Sequence, residues 1–305
     1  MKLLKVLIFE LRNFATIVAS ILSIAFYQPS NLPFVARGLA GWWRSYSWSQ
    51  KQARKKHHYV VYTKEDHAVP FVPDAVERYA LLPPIAAKVL GKLARTLDPS
   101  SFRKVVSAFL DLGNSVIPAY MNFPVRMPRF TSHGHLSLRL IQLLDEPYNC
   151  VPSLHIAGSL LLYNICNSAS AIRDGAKDLL GEVRSLAQDM FAAVLYTKQH
   201  AYADVAFGIL AAKRAFSRRF KSASFDDLIS DTSSLEARHP KVKFRRIRVI
   251  YGKVADLYSR RKSLTRTVGD FLKSYPKIPG SHPDSFYDSK KRSIVPIRAG
   301  SSGYS

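Results

Sequence analysis

The order of apolar and polar positions along this chain predicts helices and little else. An apolar run from Val6 to Tyr27 is interrupted by Glu10 and Arg12, and the clean part from Phe14 to Tyr27 falls short of the ~20 residues a spanning helix needs. Two readings lead for it: an interfacial or single anchoring helix, and a buried N-terminal core helix. A signal peptide is a third, with no obvious cleavage site before Gln28 to favour it. Pro70 to Pro84 reads as a loop leading into a short helix over Val76–Leu82, followed by a helix from Ile85 to Leu97. Asp98 then offers an N-cap for a helix from Phe102 to about Val116. Pro118 to Leu136 carries three prolines and reads as irregular. Further helices are expected over Ile156–Asn167, Ala176–Gln199 and Tyr202–Phe216. Ser217–Pro240 has the composition of a linker, Lys241–Tyr275 that of one basic amphipathic helix, and Ile278–Ser305 that of a disordered tail. No alternating strand pattern and no internal repeat is present, so the predicted fold class is all-α.

Charge changes this picture more than overall apolarity does. Lys and Arg number 45 against 22 Asp and Glu, a formal net charge of +23. From Arg218 onward there are 20 basic and 8 acidic residues. Such a segment seeks anionic surfaces, and with no zinc-finger spacing or aromatic RNA-binding signature, acidic lipid is favoured over nucleic acid. Arg37 to His58 interleaves Trp42, Trp43 and Trp48 with Arg44, Lys51, Arg54, Lys55 and Lys56, which suits a headgroup layer; a solvated linker with a ring or two in the core is the alternative. The two cysteines, Cys150 and Cys166, give neither a disulfide framework nor metal-cluster spacing. These features divide the chain into an apolar helix with a basic Trp-rich segment (1–58), a helical bundle (59–217) and a basic extension (218–305).

Candidate chemistry is concentrated in two segments whose histidines lie 45 residues apart. In Cys150-Val151-Pro152-Ser153-Leu154-His155 a histidine follows a Pro-Ser turn. In Thr197-Lys198-Gln199-His200-Ala201-Tyr202-Ala203-Asp204 a histidine and an aspartate stand one helical turn apart on the same face. Two imidazoles and one carboxylate are the parts for phosphoryl transfer through a covalent histidine intermediate. One ring attacks phosphorus, the carboxylate fixes its tautomer, and the other ring protonates the leaving oxygen.

Together, with their flanks, these segments resemble the type 2 phosphatidic acid phosphatase superfamily. Asp145–Ala157 is similar to its second motif. Thr197–Gly208 is similar to its third, in the form of the sphingolipid-synthase-like and inositol phosphorylceramide synthase-like branch, and Ala68–Pro73 resembles a loop of that branch. The resemblance covers about Val69 to Ala212. It implies a helical bundle of the phosphatidic acid phosphatase and haloperoxidase type, with His200 as nucleophile, Asp204 as its orienting carboxylate and His155 as the acid. Ser153 and nearby backbone amides would hold phosphate oxygens, with no cofactor and no metal. Two departures are visible. The lysine of the first motif is missing, leaving Arg126 and Arg129 as phosphate-binding candidates, and the Ser-Arg of the third motif is replaced by Ala193 and Val194, leaving Lys198 as a further candidate.

The segment ahead of His200 carries Asp178, Glu182, Arg184 and Asp189, too many ionised groups for a lipid-facing span. The expectation is therefore a peripheral or singly anchored bundle on an anionic membrane, or else a soluble cytoplasmic protein. It would be a metal-independent phosphatase acting on a phosphorylated lipid or similar amphiphile. A lipid headgroup phosphotransferase and a non-catalytic protein binding anionic lipid or a partner are the alternatives. Hydrolysis is preferred because a soluble bundle has no evident lipid-lined acceptor channel.

Overall fold

The structure, a computed structural model, describes residues 2–130, 135–168 and 170–297. It is mostly helical. Helices α1 (Lys2–Tyr27) and α2 (Leu32–Ala53) lead into a two-residue strand β1 (His58–Tyr59) and the short turns α3 (Lys64–His67) and α4 (Val76–Tyr79). The bundle continues through α5 (Leu82–Thr96), α6 (Pro99–Asn122), α7 (Leu136–Leu144), α8 (Leu154–Cys166) and α9 (Ser170–Ala176). It closes with α10 (Leu180–Tyr196) and α11 (Tyr202–Arg219). Beyond these come α12 (Ser233–Arg238), α13 (Phe244–Arg261), α14 (Leu264–Leu272), β2 (Lys277–Ile278), β3 (Ser285–Asp288) and β4 (Ser293–Pro296).

Helix α11 forms the centre, packed against α8, α6 and α13, while α10 lies along α8. Its burial extends from Tyr202 to Ala212 without a break, and α8 is buried from Ile156 to Cys166, so over these stretches neither helix has a solvent face. That is the signature of a core helix surrounded on all sides. The two cross closely at Gly208, where an added Cβ would lie 2.8 Å from the Ser153 carbonyl oxygen and 2.8 Å from Ile156 Cβ. The glycine thus sets the spacing between the segments carrying His155 and His200.

Helix α1 turns its polar side inward. Ser23 Oγ donates to the Gly91 carbonyl (2.8 Å), and Gln28 Nε2 donates to the carbonyls of Ala94 and Leu97 (3.0 and 2.9 Å). Its outward side exposes Ile8, Leu11, Phe14, Ile21, Leu22 and Phe26. Ile8–Tyr27 is long and apolar enough to cross a membrane, and no other helix among the described residues is. The ionised groups preceding His200 are balanced by neighbours. Lys88 pairs with Glu182 (2.7 Å), Lys92 with Asp178 (3.2 Å), and buried Asp189 with Arg238 (2.8 Å) and His239 (3.1 Å).

Several sequence expectations are corrected. The helix expected to stop near Val116 continues through Pro118 to Asn122, because burial of Ile117, Ala119 and Tyr120 outweighs one missing backbone bond. Past Asn122 the chain carries no helix through Phe130, as read, and α7, unexpected from the sequence, begins at Leu136. Ser217–Pro240 is not a loose linker. Asp226 accepts from Tyr163 Oη (2.9 Å) and its carbonyl from Asn164 (2.9 Å), and Leu228, Ile229 and Leu235 are buried. The single basic helix of 241–275 breaks at Lys262, which takes a left-handed conformation (φ 50°) ahead of the Ser263 N-cap. The tail read as disordered from Ile278 is ordered through Ile297. There β3 and β4 pair antiparallel, Ser285 opposite Pro296, and residues 298–305 lie outside the described residues.

Candidate active site

Two helix N-termini meet at the site, that of α8 held by a serine hydroxyl and a backbone carbonyl and that of α11 by two buried carboxylates. Ser153 caps α8 through its side chain, with Oγ accepting from Ile156 N–H (3.4 Å). Its own N–H donates to the Asp204 carbonyl (3.1 Å). At the start of α11 the cap residue is Ala201, which has no side-chain acceptor. Asp66 of α3 supplies it instead, accepting from Tyr202 N–H (2.7 Å) through Oδ1 and from Thr63 N–H (2.7 Å) and Thr63 Oγ1 (2.6 Å) through Oδ2. Asp204 Oδ2 accepts from Ala201 N–H (2.9 Å). The histidine before that helix is therefore fixed by backbone on both sides.

His200 Nδ1 lies 3.2 Å from Asp204 Oδ2. An imidazole that donates Nδ1–H to a carboxylate keeps the lone pair of Nε2 for attack or ligation. Burial raises the Asp204 pKa, opposed by the hydrogen bond to His200 and that ring's charge. The His155 ring stands 6.4 Å from the His200 ring, centroid to centroid, and stacks on Tyr79 at 3.8 Å. Burial, reinforced by His200, lowers the His155 pKa from 6.5 to about 3, so its resting form at neutral pH is the uncharged imidazole. Tyr79 is itself buried, its hydroxyl unpaired among the described residues. It was not foreseen, since an aromatic in a short pre-helical turn carries no signal in one sequence.

Both histidines line a cavity of about 470 Å³ whose walls are chiefly apolar: Leu39, Trp42, Trp43 and Tyr46 from α2, Phe109 and Leu110 from α6, and Ile141 from α7. Asp145 and Asn149 are its other polar lining residues beside the histidines. Leu39, Trp43, Leu140 and Leu143 are exposed on the same two helices, α2 and α7. The expectation that the bundle holds no apolar channel is thus corrected.

Of the phosphate-binding candidates, the structure brings Arg129 to the site and leaves two others elsewhere. Arg129 donates to Gln199 Oε1, next to His200, and to the Asp145 carbonyl. Arg126 instead ties down the tail. It donates to the carbonyls of Gly280 (3.0 Å) and His282 (2.8 Å) and pairs with Asp284 (2.7 Å). Lys198, left-handed at φ 55°, buries its ammonium against the carbonyls of Asp66 (2.7 Å) and Val69. Burial lowers its pKa to about 8. It fastens the α3 loop beneath His200 and is already saturated with acceptors. Ser153 is adjacent, but it is fully buried and its hydroxyl is used as a helix cap.

One set of side chains could hold a metal ion. Cys150, His200 and Asp204 are all buried, and one potential ligand atom from each lies within 4.8 Å of the others. Burial and the nearby Asp204 charge push the Cys150 thiol well above its ordinary range, and Sγ points to the Pro147 carbonyl (3.3 Å). A thiolate ligand would have to be formed against that gradient.

The chain was compared with protein-family models, curated proteins and solved structures. None matches. The arrangement must therefore be read from its own geometry: an oriented imidazole, a second uncharged imidazole, a guanidinium, and an apolar cavity leading to them.

That geometry gives a direct expectation for His155. A bound oxyanion next to a ring with a pKa of about 3 favours the imidazolium, so binding should draw in a fraction of a proton that grows as the pH falls. Tungstate, which has no proton of its own to exchange near neutrality, is the suitable probe. Calorimetry in buffers of different ionisation heat should show this fractional uptake, with affinity rising as pH falls. His155→Asn should remove the uptake.

Proposed function

We propose that this chain is a metal-independent phosphatase that hydrolyses a phosphorylated lipid or similar amphiphile through a phosphohistidine at His200. The observation that carries the reading is that His200, paired with Asp204, and the His155 ring both line one apolar cavity. The resemblance of Asp145–Ala157 and Thr197–Gly208 to the type 2 phosphatidic acid phosphatase motifs supports it. The cavity volume lies in the range of small-molecule sites, and its lining suits a hydrocarbon chain.

In the first step His200 Nε2 attacks phosphorus and the P–O ester bond breaks. The departing alkoxide takes its proton from His155, which substrate binding has charged, and Asp204 balances the charge developing on His200. In the second step water attacks the phosphoryl group and gives its proton to His155. The P–N bond breaks, restoring His200. Arg129 is the side chain placed to neutralise the equatorial oxygens. The basic α2 and α13 and the apolar outer side of α1 supply attraction to an anionic leaflet in this reading.

A lipid hydroxyl in place of water would make the same machinery a headgroup transferase, a reading favoured by the apolar cavity itself. A metal-dependent reaction is favoured only by the Cys150, His200 and Asp204 set. Phosphate release from phospholipid and soluble phosphomonoesters in excess EDTA, with and without an acceptor alcohol, separates the three. Release undiminished by EDTA supports hydrolysis, acceptor-dependent product supports transfer, and loss restored by zinc supports the metal.

A further inference from the structure

We propose that the segment from Pro276 to Ile297 is a built-in brace for the site, in which Asp284 is the positioning residue for Arg129. Only the use made of Arg129 rests on the phosphatase reading; the brace itself rests on contacts that do not depend on it.

The segment is joined to the site along two lines. In the first, β2 pairs with β1, His58 opposite Ile278, and Val60 N–H donates to the Pro276 carbonyl (3.0 Å). Tyr59 bridges in parallel to Val125, and Val125 in turn to Asn149. The segment is thus one edge of a narrow ladder whose other edge is the chain entering Cys150, Ser153 and His155. In the second line, Arg126 donates to the carbonyls of Gly280 and His282, and Asp284 lies between two arginines. Asp284 Oδ1 accepts from Arg126 Nη2 (2.7 Å), and Oδ2 accepts from the backbone N–H of Arg129 (3.1 Å).

That backbone bond decides where Arg129 stands. Pro128 has no N–H to give, and the Met127 N–H is already spent on the Pro147 carbonyl (3.0 Å). Asp284 therefore takes the backbone donor closest to the Arg129 side chain. It also sorts the two charges. Its carboxylate pairs with Arg126, while the Arg129 guanidinium is left with neutral acceptors, Gln199 Oε1 and the Asp145 carbonyl. Among the described residues no carboxylate lies within ion-pair distance of that guanidinium. A guanidinium held by neutral groups keeps its charge for an incoming oxyanion. Whether it meets one at the right place depends on how firmly its backbone is fixed. Asp284 supplies both conditions from a part of the chain remote in sequence from either histidine.

The first test needs no ligand. In isotope-labelled protein the Nη–H signals of Arg129, identified by their loss in Arg129→Gln, should be resolved by nuclear magnetic resonance, since Gln199 and Asp145 hold the group. Asp284→Ala should speed their exchange with water at least about tenfold. The signals of Arg238, held by Ser185 (2.9 Å) and Asp189 (3.2 Å), should not change. The second test is a double-mutant cycle read by tungstate affinity. Asp284→Ala should weaken binding about tenfold where Arg129 is present and less than about twofold in Arg129→Gln. General damage to the fold would weaken both alike. Arg126→Gln enters the same junction from its other side and should act in the same direction, which keeps both tests decisive if Asp284→Ala does not fold. Unchanged Arg129 signals, or equal losses of affinity in the two backgrounds, would overturn the brace. Faster exchange in Asp284→Ala, with no tungstate binding by the unaltered protein, would instead remove the phosphatase reading and leave the brace standing. Tungstate binding that needs Arg129 and ignores Asp284 would do the reverse.

Discussion

Under the phosphohistidine proposal, replacing His200 with glutamine is expected to lower kcat by at least about 10⁴-fold, because the covalent step would lose its nucleophile. Glutamine approximates the volume of the ring, so the fold should survive. His200 is buried and flanked by the Gln199 and His200 backbone bonds to the Val194 carbonyl (3.1 Å each), which the substitution leaves in place. Rapid quench of the unaltered protein with radiolabelled substrate should trap a phosphoryl group that is stable to base and labile to acid, as a phosphoramidate is. The variant should trap none. Residual turnover near the level of the unaltered protein would place the chemistry on another residue.

The second large effect is expected far from any reacting atom. Asp66→Ala removes the acceptor for the N–H of Tyr202, for the N–H and hydroxyl of Thr63, and the negative charge facing Lys198. Leaving those buried donors empty should cost roughly 3–5 kcal/mol, read as a lower urea midpoint with an unchanged m-value. Activity should fall with it, since the first turn of α11 sets the direction of His200. Asp66→Asn retains an oxygen for Tyr202 and should lose markedly less stability. Equal losses in the two variants would show that charge, and not the cap, is what Asp66 provides.

The contrast between these two positions shows what was legible in the sequence. His155, His200 and Asp204 could be singled out because the chemistry proposed for them depends on short spacings, and the helices that bring them together follow from apolar periodicity over many residues. Asp66 could not be read, for it caps a helix that begins 136 residues later. Arg126 and Lys198 are engaged away from the two histidines for a related reason. A cation near a motif has no direction until its partners are known, and theirs are Asp284 and the α3 carbonyls. Arg129 was distinguished from Arg126 only by Gln199 and the Asp145 backbone. The α13–α14 break hides in a basic run because Lys262 is an unusual residue for a left-handed turn. The β3–β4 hairpin escaped because four-residue strands with mixed burial carry almost no periodic signal.

Helix α1 has a practical consequence. It is no dispensable extension. Its Ser23, and the Gln28 that follows it, fill the acceptors of Gly91, Ala94 and Leu97, while the helix presents phenylalanines and leucines outward. Trimming it would strip donors from α5, and keeping it in plain buffer would leave a greasy flank exposed. Thermal denaturation should consequently depend on the surrounding amphiphile. Detergent headgroup and chain length become variables of folding in their own right, and a preparation optimised for solubility alone would sample the protein in its least stable surroundings.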